Sequence, residues 1–339
     1  MLFFLKCKKE KKYAGFYDPT YVSLDIPFGF PDMIIPADNP LTEEGIELGR
    51  KLFYEKMLSA DNTMSCGSCH QPNAGYSDSN RFSVGIDNIA GTRQSMPIMN
   101  IGWSERFFWD GRAMSLEEQI IEPVENPIEL HQSWKDAVGK LQSSPQYRYL
   151  FKQAFWVNEI DSLTAAKAMA QFMRTMISGN SKFDKFNRRE VSFTPQELNG
   201  YNSFRSLTGA DCFHCHGGIL YTDYSLQNNG LNPTHTDSGF GSVTLNPNDI
   251  GKFKVPSLRN LVFTAPYMHN GKFKNLDEVI DFYSTGIHAS SPNISPLIEF
   301  ASIGGVNLTP TEKSELKAFL LTLTDSSFIT NPKFQDPNY

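Results

Sequence analysis

Cys66-Gly-Ser-Cys69-His70 and Cys212-Phe-His-Cys215-His216 are two copies of one pattern, and together they hold four of the five cysteines in the chain. C-x-x-C-H is the attachment signature of c-type haem. Cysteines three apart on a helical turn present their sulfurs to one side, where they can form thioethers with the two vinyl groups of the porphyrin. The histidine that follows supplies the proximal iron ligand. His214, between the second pair of cysteines, is badly placed to ligate and reads as a spacer. A zinc ribbon would need its C-x-x-C pairs ~15–20 residues apart, whereas these begin at residues 66 and 212. Redox C-x-x-C motifs do not require a following histidine, and here both copies have one. The expectation is two covalently bound haem c groups. Because such attachment takes place outside the cytoplasmic membrane, export to the periplasm is expected too.

Working outward, each motif follows a similar lead-in. Thr42-Glu-Glu-Gly starts a segment with Ile46, Gly49 and Phe53 at helical spacing. Thr194-Pro-Gln-Glu197 is a capping box with proline at the first helical position, and Thr309-Pro-Thr-Glu312 opens a closing amphipathic helix. Residues 162–178, SLTAAKAMAQFMRTMIS, read as one long helix, and the segment from Gln227 to Gly251 reads as loops wrapped around a cofactor. Strand alternation is scarce. The fold class is therefore mainly α, with two cytochrome c-like domains, each carrying one covalent c-type haem. The expected divisions are a tail over 1–35, an N-terminal domain over 36–189 and a C-terminal domain over 190–339.

A net charge of −6 gives no basic footprint for nucleic acid, and no apolar run reaches the eighteen residues of a membrane span. The start, MLFFLKCKKEKKY, has two readings. It resembles the end of a bacterial lipoprotein signal with Cys7 as the lipidated residue, which would anchor the protein to a membrane; or it is a basic tail with a chance cysteine.

What two haems do depends on the sixth iron position. A carrier caps both irons, while a catalyst leaves one open. The histidines are His70, His131, His214, His216, His235, His269 and His288. None lies between His70 and His131, so the first haem lacks a histidine cap nearby in sequence. Met96 and Met99 are the nearby thioethers, although methionines more often fill core gaps. Tyr283, Met268 and His269 offer themselves to the second iron.

Taken together, CGSCH, FFWDGRA (107–113), EPVENPIEL (122–130), CFHCH and KVPSLRNLVFTAPYMHNG (254–271) resemble the bacterial di-haem cytochrome c peroxidases and MauG, over about residues 41–324. The resemblance implies that the first haem is the peroxide site. Typical peroxidases carry a distal histidine where this chain has Ile86, which implies a permanently five-coordinate first haem. It implies that Glu129 moves a proton between the oxygens of peroxide, that Gln119 and Pro123 complete the distal pocket, and that Trp109 relays electrons between the haems. It implies a calcium ion between the domains, held by the carbonyls of Thr264 and Pro266, with Gln94 where the family has asparagine. It also implies Tyr283 as the sixth ligand of the second iron, opposite His216, with Met268 as the rival ligand. A thioether favours ferrous iron, whereas a phenolate is a hard anion that favours ferric and higher states.

The expected function is reduction of hydrogen peroxide with electrons from a small cytochrome c or a cupredoxin. The alternatives are a MauG-type oxidase acting on residues of a partner protein and a non-enzymatic electron carrier. A homodimer is a further expectation.

Overall fold

The computed structural model describes residues 17–338, so Cys7 lies outside the described residues. In chain order the helices are α1 (Glu43–Phe53), α2 (Cys66–Cys69), α3 (Leu116–Glu125), α4 (Trp134–Ser143), α5 (Pro145–Phe155), α6 (Ser162–Arg174) and α7 (Lys182–Asn187). They continue with α8 (Pro195–Phe204), α9 (Phe213–His216), α10 (Gly241–Thr244), α11 (Leu276–Thr285), α12 (Pro310–Leu321) and α13 (Ser326–Ile329). Strands β1 (Leu226–Gln227) and β2 (Phe253–Lys254) form one short antiparallel pair, with Leu226 opposite Lys254. The fold is mainly helical, as the sequence leads one to expect.

The helix starts follow from local chemistry. The Thr42 hydroxyl accepts from the Gly45 N–H at 3.0 Å, and Glu43 and Glu44 in the first turn with Arg50 and Lys51 in the last complement the helix dipole. Thr194 and Thr309 each form the full reciprocal capping box with a glutamate three residues on. The helix expected over 162–178 stops at Arg174 instead. Asn100 takes the backbone groups beyond it: its N–H donates to Met176 O at 2.9 Å, and its amide bonds both the Ser178 N–H and the Ser178 carbonyl. A tertiary partner thus outbids the last turn of a segment that is apolar enough to continue.

Two cores form around two helix crossings. α1 crosses α6 so closely that a Cβ on Gly49 would run into the Ala168 carbonyl. Leu48, Leu52, Phe53, Phe151, Met169 and Phe172 fill the core around that crossing, and Phe328 and Phe334 from the C-terminal tail pack into it. α8 crosses α12 with the same closeness: a Cβ on Gly200 would meet the Glu315 carbonyl. Phe183, Phe204, Tyr221 and Phe319 fill that second core. A buried Arg259–Asp184 pair, with Nη2 to Oδ1 at 2.8 Å, ties α7 to the segment that approaches the second cavity. Asn260 then bridges the halves, donating to Ser178 Oγ at 2.9 Å and accepting from the Asp325 N–H at 2.6 Å. Among the described residues no helix is long and apolar enough to cross a membrane.

Candidate active site: two cavities with a common wall

Each cysteine motif folds as one helical turn at the mouth of a cavity. Cys66, Cys69 and His70 border the first cavity, and Cys212, Cys215 and His216 border the second. In both, the histidine Nδ1 donates to a backbone carbonyl a few residues on: His70 to Tyr76 O at 2.9 Å and His216 to Tyr221 O at 3.2 Å. That bond fixes the tautomer and leaves Nε2 with a free lone pair for a metal. Burial pushes the Cys66 and Cys212 thiols up to about 12, and Cys69 and Cys215 up to about 11. These are neutral, unpaired thiols. Among the described residues no group of three or more His, Cys, Asp or Glu converges as a metal-ion site, so the motifs do not make a thiolate zinc centre. The first cavity holds about 790 Å³ and has mostly apolar walls, within the range that encloses a cofactor. Paired neutral thiols, a histidine with its Nε2 free and an apolar chamber are a donor set that fits haem c at both places.

The first cavity is also lined by Gln119, Pro123 and Glu129. Pro123 lies inside α3, where it has no N–H to donate to the Gln119 carbonyl. The chain then folds back through Asn126. Its side-chain oxygen accepts from the Ile128 N–H at 3.1 Å, and its amide donates to Glu129 Oε1 at 2.7 Å. Burial raises the Glu129 carboxyl above its ordinary value, and the Asn126 bond only partly offsets this. A half-buried carboxyl whose proton affinity is raised can both take and return a proton.

The loop carrying Ile86 packs on this segment. The Ile86 N–H donates to Glu129 O at 3.1 Å, and a Cβ on Gly85 would strike the carbonyls of Ile128 and Glu129. His131 then pairs with Asp87 at 2.5 Å on the exposed side of the same contact.

No histidine near in sequence was expected at the first haem, but two distant in sequence border the first cavity. His235 and His269 enter its wall from the second half. The His235 ring is engaged by Asn228, Ser291 and the Pro292 carbonyl at 3.2–3.4 Å. His269 stacks on Phe253 with ring centroids 3.6 Å apart, and burial lowers it to about 4, so it is neutral. It also meets Trp109 edge-on at 6.5 Å. Met96 borders the first cavity, while Met99 is buried in the core, accepting from Asn260.

Trp109 borders both cavities, as do Gln94, Lys254 and His269. Its indole N–H donates to Gln94 O at 2.7 Å, and its own carbonyl accepts from the Lys254 N–H at 2.7 Å. Arg93 buttresses this wall, bonding Asp110 at 2.6 Å and Asp237 at 2.7 Å. The segment from Gln227 to Gly251, read as wrapping a cofactor, borders both chambers: Asn229 the second, and Asn232, His235 and Asp237 the first. Gln94, Thr264 and Pro266 come together on the second cavity, with the Gln94 amide donating to Ser77 Oγ at 2.7 Å and to the Asp78 carbonyl at 3.2 Å.

In the second cavity Tyr283 and Met268 stand side by side. Asn229 Nδ2 donates to Tyr283 Oη at 2.9 Å and lies 3.6 Å from Met268 Sδ. Burial raises the Tyr283 phenol above its ordinary value, so the protein alone keeps it neutral; a bound cation inverts that logic and draws out the proton. His214 faces Asp211 at 3.2 Å and does not border the cavity. Asn126, Asn229 and Lys254 were invisible to the sequence reading. Only Asn126 had a local signal, since an asparagine two residues before an apolar position can close an Asx turn.

The comparisons with known proteins agree with this geometry. Residues 43–192 match the family described as di-haem cytochrome c peroxidase. Methylamine utilization protein MauG of Methylorubrum extorquens is 34% identical, over 88% of this chain and 83% of its own. The chain belongs to the di-haem cytochrome c peroxidase and MauG family. Cytochrome-c peroxidase IdrP1 of Pseudomonas sp. (strain SCT) is 33% identical over 87% of this chain and 85% of its own. The crystal structure of a MauG-like protein associated with microbial copper homeostasis superposes with a TM-score of 0.87 at 33% identity, covering 94% of this chain and 100% of that one. This family member is a peroxidase-type oxidoreductase, and its family implies two haem c cofactors.

Proposed function

We propose that the protein is an exported di-haem peroxidase that reduces hydrogen peroxide to water at the Glu129 cavity, drawing electrons from an external small cytochrome c or cupredoxin. The observation that carries this reading is the pairing of a desolvated, asparagine-held Glu129 in one chamber with a Trp109 common to both. When bound at His70 and His216, the two haems would supply the redox centres, and reduction of one peroxide consumes two electrons and two protons.

The residues handle everything else. Asn126 holds one Glu129 oxygen and leaves the other to accept the peroxide proton and return it to the leaving oxygen. Gln119 and Pro123 limit the space beside it. The Gln94 carbonyl holds Trp109 by its N–H in the common wall, where it can pass electrons between the chambers. Cys66 and Cys69, and Cys212 and Cys215, would hold the cofactors covalently, with one domain around each. Tyr283, steadied by Asn229, would close the second site. A calcium ion held by the Thr264 and Pro266 carbonyls and by Gln94 belongs to the same reading, and a chelator should then lower the melting temperature.

A MauG-type oxidase acting on a partner protein is the second reading. Tyr283 at the second cavity favours it, since a hard phenolate suits sharing of oxidising equivalents over storage of a waiting electron. Steady-state peroxide consumption with reduced small cytochrome c and with a reduced cupredoxin separates the two. Turnover supports the peroxidase. Failure with both donors, with peroxide-dependent oxidation of a partner protein, supports the oxidase.

A further inference from the structure

Three cationic side chains among the described residues are buried: Arg174, Arg259 and Lys254. Arg174 is neutralised by Glu117 and Arg259 by Asp184. Lys254, 3% exposed, meets no carboxylate. Its ammonium donates to Arg106 O at 2.9 Å and comes within 3.3 Å of Ser104 Oγ, and the faces of Phe107 and Tyr224 lie 5.7 and 5.9 Å away. Every one of these partners is neutral. Burial accordingly pushes Lys254 down to about 7. A buried charge without a counter-charge is a costly arrangement that native folds normally resolve by pairing.

Lys254 borders both cavities, but only the second lacks an arginine. Lys254 is the one lysine or arginine on that second lining, which also carries the carboxylates of Asp211 and Glu299. The first cavity is provided for differently, with Arg81, Arg93 and Arg112 on its wall besides Lys254. A haem tethered through Cys212 and Cys215 would bring its two carboxylates into a chamber that is mostly apolar and carries negative side chains of its own. We infer that Lys254 holds a carboxylate of the haem in the second cavity; the inference rests on the two-haem reading above. Because the Lys254 backbone N–H is bonded to the Trp109 carbonyl at 2.7 Å, the same residue couples that carboxylate edge to the tryptophan between the chambers.

The test is spectroelectrochemical titration of the holoprotein, wild type against Lys254→Met and Lys254→Arg, with haem c counted by pyridine haemochrome. Removing the cation leaves the carboxylate uncompensated, which favours ferric iron. The methionine variant should shift the ferric-to-ferrous ratio of the low-spin haem about tenfold toward ferric, ~59 mV for a one-electron couple. It should also shift the propionate bending band of that haem in resonance Raman spectra, and arginine should restore both. If the methionine variant does not fold, Lys254→Gln, which keeps a donor but no charge, should give the same direction of shift. An unchanged low-spin potential, or a shift confined to the high-spin haem, overturns the inference. Fewer than two haem c per wild-type chain overturns the two-haem reading instead.

Discussion

The two cavities begin alike and end differently. Both have a one-turn C-x-x-C-H helix, a histidine locked by a backbone carbonyl, and a threonine-capped helix crossing its partner at a glycine. The difference lies in the rest of the lining. The first chamber offers a half-buried carboxyl on a tight turn, Glu129 with Gln119 and Pro123. The second offers a tyrosine and a methionine gathered under one asparagine. On the proposed reading, a scaffold used twice serves as a reactive site and a closed site, while the attachment motif stays constant. Trp109, His269 and Lys254 belong to both linings and form a common wall.

The largest expected break in this comparison is Glu129→Gln. It should lower kcat/KM for peroxide roughly 10²–10⁴-fold, the usual contribution of a placed acid–base group, and leave the spectrum of the second haem unchanged. In the wild type, peroxide turnover should fall as pH drops through a midpoint above the ordinary carboxylate range, because burial raises Glu129 and its ionised form accepts the proton. The variant's pH–rate profile should lose that limb.

Asp184→Asn should cost about 3–5 kcal/mol in chemical denaturation, since it leaves Arg259 buried and unpaired. Burial would raise Asp184, but the Arg259 and Ser181 bonds hold it below its ordinary value. Its contribution is therefore present at neutral pH and is lost as pH falls from the ordinary carboxylate range down through the lowered folded value. Asp277→Asn, which breaks the exposed pair with Lys317, should change nothing measurable.

Gly49→Ala and Gly200→Ala sharpen the likeness of the halves. Each forces a methyl group into the carbonyl of a crossing helix and should cost about 1–3 kcal/mol, read as a lower melting temperature. Near-equal losses would support one scaffold used twice. A smaller loss belongs to Asn229→Leu, which removes a hydrogen bond of about 0.5–1.5 kcal/mol. It should alter the optical spectrum of the second haem alone.

The readable parts of this protein were those whose chemistry is contiguous. Thioether attachment needs two cysteines and a histidine in one turn, and a capping box needs its two partners three residues apart, so both stand out in the sequence. The end of α6 at Arg174 did not, because Asn100 that stops it is far away in the chain. The entry of His235 and His269 into the first chamber was equally hidden, being a product of how two segments distant in sequence from His70 fold across the wall. Lys254 looks unremarkable in KVPSLRN, and only burial without a carboxylate gives it a meaning.

The most direct measurement is low-temperature EPR of the ferric holoprotein, before and after peroxide, in the wild type and in Tyr283→Phe. The account predicts one high-spin and one low-spin signal that collapse together on peroxide, with the phenylalanine variant altering only the low-spin species. Two low-spin signals that persist in peroxide would contradict it.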